Sequence, residues 1–372
     1  MARIYLDYNA STPIDPEVVD VMRPLLVSDY GNPSSGHWAA TPAKAALDIA
    51  RGQVAALLGC APDEIVFTSG GSEANNLALK GLCSTAKDRP AHVITSMIEH
   101  PATLEPCRHL TKLGVTVTYV PVDGTGLVDP GDVRRAITRD TNLISVMHAN
   151  NEVGTIQPIA EIAKIAHQHG IRFHTDAAQS VGKIATRVDQ LGTDMLSVAG
   201  HKVYAPKGIG ALYIRRGLEI EPLIHGAGHE GGRRAGTESA LLAAALGKAC
   251  EVAQAWIGMP GILELRDLLW DRLRAAFGNQ VVLNGHPTRR LPNTLNVSFV
   301  GRIGAEILAA IPDVAASTGS ACHAGRVTLS PVLQAMNLAP EVGMGAIRFS
   351  LGRHTTEGEI DDAVSQLRRA LA

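Results

Sequence analysis

Apolar and polar positions divide the chain into two regimes. From Ile65 onward, short apolar runs recur: Ile65–Thr68, His92–Ser96, Val115–Val120, Leu143–Met147, Arg172–Asp176, Asp194–Val198 and Gly210–Ile214. Most stay apolar through their length instead of alternating, as strands do when both faces of a sheet are covered. Segments of helical spacing lie between many of them, which predicts an α/β fold with a mostly parallel sheet. Ahead of these runs, Asp15-Pro16-Glu17 opens a helix to about Val27, with proline at an early helical position. A second helix is predicted from about Pro42 to Leu58, where Ala45, Leu47, Ala50, Val54 and Leu57 share a face. Residues 1–15 hold a brief strand at most, and Tyr30–His37 reads as a loop. Past Ala240 the pattern changes. Helices over Leu241–Trp256 and about Gly261–Phe277 lead to strands Val281–Leu283, Leu295–Phe299 and Ala346–Ser350, a smaller α+β unit.

Composition narrows the picture. A chain of 372 residues exceeds one ordinary core, and 45% hydrophobic content is ample for a sizeable one. The net charge of −2 suggests neither a nucleic-acid nor a membrane surface. Met1–Tyr8 lacks the apolar stretch of a secretory leader and no run approaches a membrane span, so a cytoplasmic protein is expected. The five cysteines (Cys60, Cys83, Cys107, Cys250, Cys322) show no CxxC and no metal-like spacing; no metal site is expected. Asn9-Ala10-Ser11 and Asn296-Val297-Ser298 match the glycosylation pattern but are discounted without a secretory route.

Candidate chemistry gathers just beyond strand ends. The run Asp194–Val198 is followed by Ala199-Gly200-His201-Lys202. A lysine held there is desolvated, its pKa falls, and its free amine can form a Schiff base with an aldehyde cofactor. Asp176 ends the preceding run, where a carboxylate can keep a pyridinium nitrogen protonated. Thr68-Ser69-Gly70-Gly71-Ser72 turns a strand into a helix, a place for phosphate on free backbone N–H groups. Asn150-Asn151-Glu152 and Glu99-His100-Pro101 follow two further strands. The asparagines offer donors to a phenolic oxygen or a carboxylate, and His100 suits ring stacking or proton transfer. Ser317–Arg326 sets Cys322 among small residues beside His323 and Arg326, read as a loop that can move and that favours thiolate. Arg348 lies inside an apolar run, so a carboxylate partner is expected.

These motifs together resemble the cysteine desulfurases of the NifS/IscS type, class V aminotransferase-like enzymes that use pyridoxal 5'-phosphate. The resemblance runs from Tyr5-Leu6-Asp7-Tyr8-Asn9-Ala10-Ser11-Thr12-Pro13 to Ile347–Arg353. It implies fold type I, with a large domain over 14–257 around a mostly parallel seven-stranded sheet. A smaller α+β domain over 1–13 and 258–372 would carry the catalytic-cysteine loop. Lys202 would hold the cofactor, Asp176 its ring nitrogen and Gln179 its ring hydroxyl. His100 would stack on the ring, and Gly71, Ser72 and His201 would bind phosphate. Asn151 and Arg348 would hold the substrate carboxylate, and Cys322 would accept sulfur. The family implies a homodimer in which Gly236-Thr237 reaches the partner's phosphate.

The sequence departs from the family pattern at three places. Ala199 stands where a phosphate-binding serine is usual, Ser72 where threonine is common, and His323 follows the cysteine as in the selenocysteine lyase branch. The implied reaction is L-cysteine to L-alanine, with sulfur passing to Cys322 and then to an acceptor protein. A selenocysteine lyase, and an aminotransferase or lyase with an incidental Cys322, are the alternatives. An iron–sulfur scaffold, a tRNA thiolation relay and a DNA-modification system are equally open as destinations for the sulfur.

Overall fold

Seven short strands, in chain order β1 (Ile65–Thr68), β2 (His92–Ser96), β3 (Thr116–Val120), β4 (Thr141–Ser145), β5 (Arg172–Asp176), β6 (Met195–Ala199) and β7 (Gly210–Ile214), make one sheet. The computed structural model describes residues 3–85, 90–318, 320–323 and 326–371, with the backbone alone for 320–323, 326 and 327. The order across the sheet is β1-β7-β6-β5-β4-β2-β3. Strands β6, β5, β4, β2 and β3 run parallel, and β7 lies antiparallel to both β1 and β6.

The continuous apolar runs have a direct cause. In β1, Ile65 and Phe67 face a core shared with helices Thr41–Leu58 and Ala240–Gln254. Val66, between them, faces Leu77 and Leu82 of helix Gly71–Ser84 on the other side. Successive side chains point to opposite faces, so a sheet covered on both sides buries every position. Each large side chain fully enclosed this way contributes roughly 1.5–3 kcal/mol.

Strand β4 begins two residues earlier than the apolar pattern predicts and stops at Ser145. Past Ser145 the Val146 and His148 N–H groups still donate to the His174 and Asp176 carbonyls of β5 (3.2 and 2.8 Å), while the Met147 N–H, between them, donates to the Glu99 carboxylate (2.9 Å). Tertiary demand at the sheet edge thus overrides the local pattern.

The smaller sheet is antiparallel, in the order Ser317–Thr318, Ala346–Ser350, Thr294–Phe299, Val281–Asn284. Its core joins Val297, Phe299, Ile347 and Phe349 to Leu269 and Leu273 of helix Pro260–Phe277 and to Ile360 and Leu367 of helix Glu357–Leu371. Ile4 and Leu6 enter the same core. The N-terminal segment then crosses to the larger sheet: the Asn9 N–H donates to Ser350 Oγ (2.9 Å), and the Thr12 N–H to the His201 carbonyl (3.0 Å).

The segment around Cys322 differs from the expected loop. Ser320–His323 pairs antiparallel with Arg326–Leu329, with Cys322 opposite Val327. Backbone pairing compensates for the weak strand preference of small residues. The side chains of Cys322, His323 and Arg326 lie outside the described residues. No helix among the described residues is long and apolar enough to cross a membrane.

Candidate active site

Because six of the seven strands share a direction, their carboxyl ends share an edge, where α/β folds bind ligands. From β1 the chain turns through Gly70, whose φ of 149° suits glycine, into helix Gly71–Ser84. Strand β2 leads to His100, β5 ends on Asp176, and β6 leads into a tight turn over Gly200–Lys202. Gly200 is required there, because a Cβ would fall 2.8 Å from the Ile209 carbonyl oxygen. These ends enclose a cavity of about 390 Å³ lined by Gly71, Ser72, His100, Asn151, Asp176, Gln179, His201, Lys202 and Arg348. Thr237 is exposed and lines a separate small cavity with Thr68 and Gly208.

Lys202 Nζ donates to the carbonyl oxygens of Asn9 and, at 2.7 Å, of Ala10. Burial, reinforced by the Arg348 charge, pulls its pKa down to about 8 against the opposing pull of Asp7 and Asp176. Asp176 is held from both sides. Its Oδ2 accepts from Asn75 Nδ2 (2.6 Å) and its Oδ1 from the Ala178 N–H (2.9 Å). These two donors fix the plane of the carboxylate.

His100 caps helix Pro101–Lys112, with Nδ1 accepting from the Ala102 N–H at 3.0 Å. Burial lowers its pKa, Asp176 works the other way, and Lys202 lowers it further. In the neutral ring the proton is therefore on Nε2. His201 is pushed down to about 4, by burial first and then by Lys202, Lys207 and His100. Ala199 packs against the helix start: a Cβ on Gly71 would lie 3.2 Å from the Ala199 Cβ.

Arg348 sits mid-strand and finds its carboxylate in Asp7, with Nη2 2.6 Å from Oδ1. Nη2 also donates to Ser317 Oγ (2.9 Å) and Nη1 to the Asn151 carbonyl (2.8 Å), while Nε is buried without a partner.

Several residues escaped the sequence reading. Asn9, part of the resembling stretch Tyr5–Pro13 but given no role there, is 1% exposed and sits on the cavity floor. Its carbonyl accepts from Lys202 Nζ and from Gln179 Nε2 (3.0 Å), and its Nδ2 donates to Thr294 Oγ1 (2.8 Å). Glu99 is enclosed beside β2. Its Oε1 accepts from Ser96 Oγ (2.6 Å), its Oε2 has no partner, and burial pushes its pKa up to about 8. Lys183 donates to Gln179 Oε1 and to Asn9 Oδ1, both at 3.0 Å. Position was the available signal for two of them: Glu99 adjoins His100, and Lys183 lies four residues after Gln179 in the same turn segment. Among the described residues, no group of three or more His, Cys, Asp or Glu side chains could hold a metal ion.

Comparison with known proteins places this geometry. The aminotransferase class-V family model matches residues 4–363. The cysteine desulfurase IscS of Dictyoglomus turgidum is 46% identical over 99% of this chain and 94% of its own length. A solved NifS-like protein superposes with a TM-score of 0.92 at 35% identity, covering 99% of both chains. A structure described as SspA in complex with cysteine gives 0.85 at 39% identity, over 95% of this chain and all of that one. The chain therefore belongs to the cysteine desulfurases within the class-V aminotransferases, a family of pyridoxal-phosphate-dependent enzymes.

Proposed function

We propose that the Lys202 cavity binds pyridoxal 5'-phosphate and L-cysteine, and that sulfur leaves it on Cys322. One observation carries this reading: a desolvated amine, a doubly held carboxylate, an imidazole and a half-satisfied guanidinium from four distant segments share one cavity. The fit to the cofactor rests on two details. Lys202 has only carbonyl acceptors to give up, and the glycine–alanine contact keeps side-chain bulk away from the helix start where a phosphate would sit. Gly71, Ser72 and His201 would hold the phosphate, Asp176 the ring nitrogen, Gln179 the ring hydroxyl, and Lys202 the aldehyde carbon. When bound, the cofactor supplies an aldehyde that exchanges amines and a ring that accepts an electron pair.

The chain's own groups do the rest. With a pKa of about 8, Lys202 Nζ is partly unprotonated near neutral pH and takes the proton from the substrate Cα. His100 presents a neutral ring whose proton is on Nε2. Asn151 and the unpartnered Arg348 Nε bind the substrate carboxylate. The Cys322 thiolate attacks the substrate sulfur. An S–S bond forms as the Cβ–S bond breaks, the bonding pair stays with Cβ, which is protonated, and alanine departs. Ser317, five residues before Cys322, is bonded to Asp7 and Arg348 beside the cavity, and five residues span at most ~18 Å. The cysteine complex of SspA supports L-cysteine as substrate. A second copy of the chain is supported by Tyr30 and Trp38, 77% and 84% exposed, and by the exposed Thr237, which is not among the residues lining the Lys202 cavity.

The test is incubation with L-cysteine and a reductant, assaying alanine and sulfide, with Cys322→Ser alongside. The wild type should release both, and Cys322→Ser should bind cofactor and cysteine yet transfer no sulfur. A keto acid product, or undiminished sulfide from Cys322→Ser, would overturn the reading.

A further inference from the structure

The amide of Gln179 can face either way, and its neighbours decide which end meets the cavity. Lys183 lies four residues on. Its stem runs along a second cavity of about 550 Å³, which leaves the residue half-buried by area, while its amine is fully enclosed. The amine makes two bonds, each 3.0 Å, to Gln179 Oε1 and to Asn9 Oδ1. Both of these partners are amide oxygens, not carboxylates. Burial lowers its pKa well below the usual lysine value, helped by the charges of Lys202 and Arg348. Charged or neutral, it has at least two N–H bonds for these two oxygens.

We propose that Lys183 is a positioning residue: its amine holds the Gln179 amide with Oε1 turned away from the cavity and the Nε2 donor turned toward it. Nε2 then donates to the Asn9 carbonyl at 3.0 Å, the same oxygen that accepts from Lys202 Nζ. Reversing the amide would set oxygen against oxygen at the Asn9 carbonyl in either charge state of Lys183, and N–H against N–H at Lys183 when its amine is charged, leaving buried polar groups unpaired. Asn9 also meets the same amine. Its Oδ1 accepts from Lys183 and from Asn293 Nδ2 (3.1 Å), which commits its Nδ2 to Thr294. Asn9 therefore keeps its orientation through Asn293 and Thr294 without the amine, whereas the Gln179 oxygen depends on Lys183. The inference rests on the assignment of Gln179 to the cofactor's ring hydroxyl, because that oxygen calls for a donor.

The experiment compares Lys183→Met, Lys183→Arg, Gln179→Ala and the Gln179→Ala/Lys183→Met double variant. Cofactor is stripped and returned, and the dissociation constant of pyridoxal 5'-phosphate and the absorption maximum of the reconstituted enzyme are measured. Lys183→Met should weaken cofactor binding about tenfold, the loss expected for one hydrogen bond, and move the absorption maximum toward that of Gln179→Ala. Lys183→Arg keeps two N–H donors and should stay within about threefold of wild type. In the Gln179→Ala background, Lys183→Met should change nothing further, because its effect passes through the missing amide. Additive losses in the double variant would overturn the inference. So would a wild-type constant and spectrum in Lys183→Met while Gln179→Ala is impaired. If Gln179→Ala itself is unimpaired, the ring-hydroxyl assignment fails instead. Should Lys183→Met not fold, Lys183→Gln, whose shorter amide reaches one of the two oxygens at most, is read the same way.

Discussion

The larger sheet and the smaller sheet each bring charge to the cavity, by opposite means. Lys202, Asp176 and His100 stand at or beyond strand ends, where the hydrogen-bond ladder has stopped and side chains are left for a ligand. Arg348 stands in the middle of a strand, in register with Asn296 on one side and Ser317 on the other. A guanidinium enclosed there needs an anion before any substrate arrives, and Asp7 supplies it. At the strand ends an ionisable group can instead meet burial by changing its protonation, as Lys202 and Glu99 do. The contrast suggests a division of labour under the proposed function: the strand-end Lys202 and Asp176 would serve the reaction, whereas the mid-strand charge would serve both reaction and stability.

Substitutions at four positions probe the contrast. The largest effect belongs to Lys202→Ala, which should lower kcat by about 10⁴-fold or more while stability shifts by less than about 1 kcal/mol. Parallel kinetics and thermal melts check it, and a comparable loss of stability would erase the distinction. Next is Glu99. Its folded-state pKa, about 8, lies above the ordinary 4.5, so the folded protein keeps a proton that the unfolded chain releases. The Glu99 contribution to stability is full below about pH 4.5 and is lost as pH rises toward 8, by on the order of 5 kcal/mol. Glu99→Gln should flatten that decline in melts taken across the range.

Asp7→Asn comes third. It strips Arg348 of its anion and should cost about 2 kcal/mol and raise KM for cysteine, measured by denaturant unfolding and initial rates. Unchanged stability would show that the mid-strand charge is not prepaired in the way described. The smallest effect separates the two roles of His100. Loss of the cap in His100→Ala should cost about 1 kcal/mol, whereas His100→Asn keeps a cap and should melt as wild type. Both should lose activity, because neither has the ring.

The strand ends were legible from the residues, since apolar runs that stop at Asp176 or at Gly200-His201-Lys202 mark both a sheet and its edge. The hub at Asn9 was not. Its partners Thr294, Asn293 and Ser350 are distant in the chain, and no local pattern announces them. Asn75 was equally hidden: inside a helix it reads as an ordinary polar position, yet it is fully buried and aims its amide at Asp176. Strand β4 was displaced by two residues because its end is claimed by Glu99 and Asp176, contacts that periodicity cannot register. The pairing of Ser320–His323 was missed because small residues carry little strand preference of their own.

The tie between Asn9 and Ser350 spans nearly the whole polymer. During synthesis the growing chain emerges with its amino end first. The floor beneath Lys202 must wait for the last strand of the smaller sheet before it can close, and the Arg348 wall arrives on that same strand, whereas the remaining lining belongs to segments already made. Newly translated enzyme therefore acquires its reactive pocket only at completion, and a product truncated before that strand would carry the lysine without its seat.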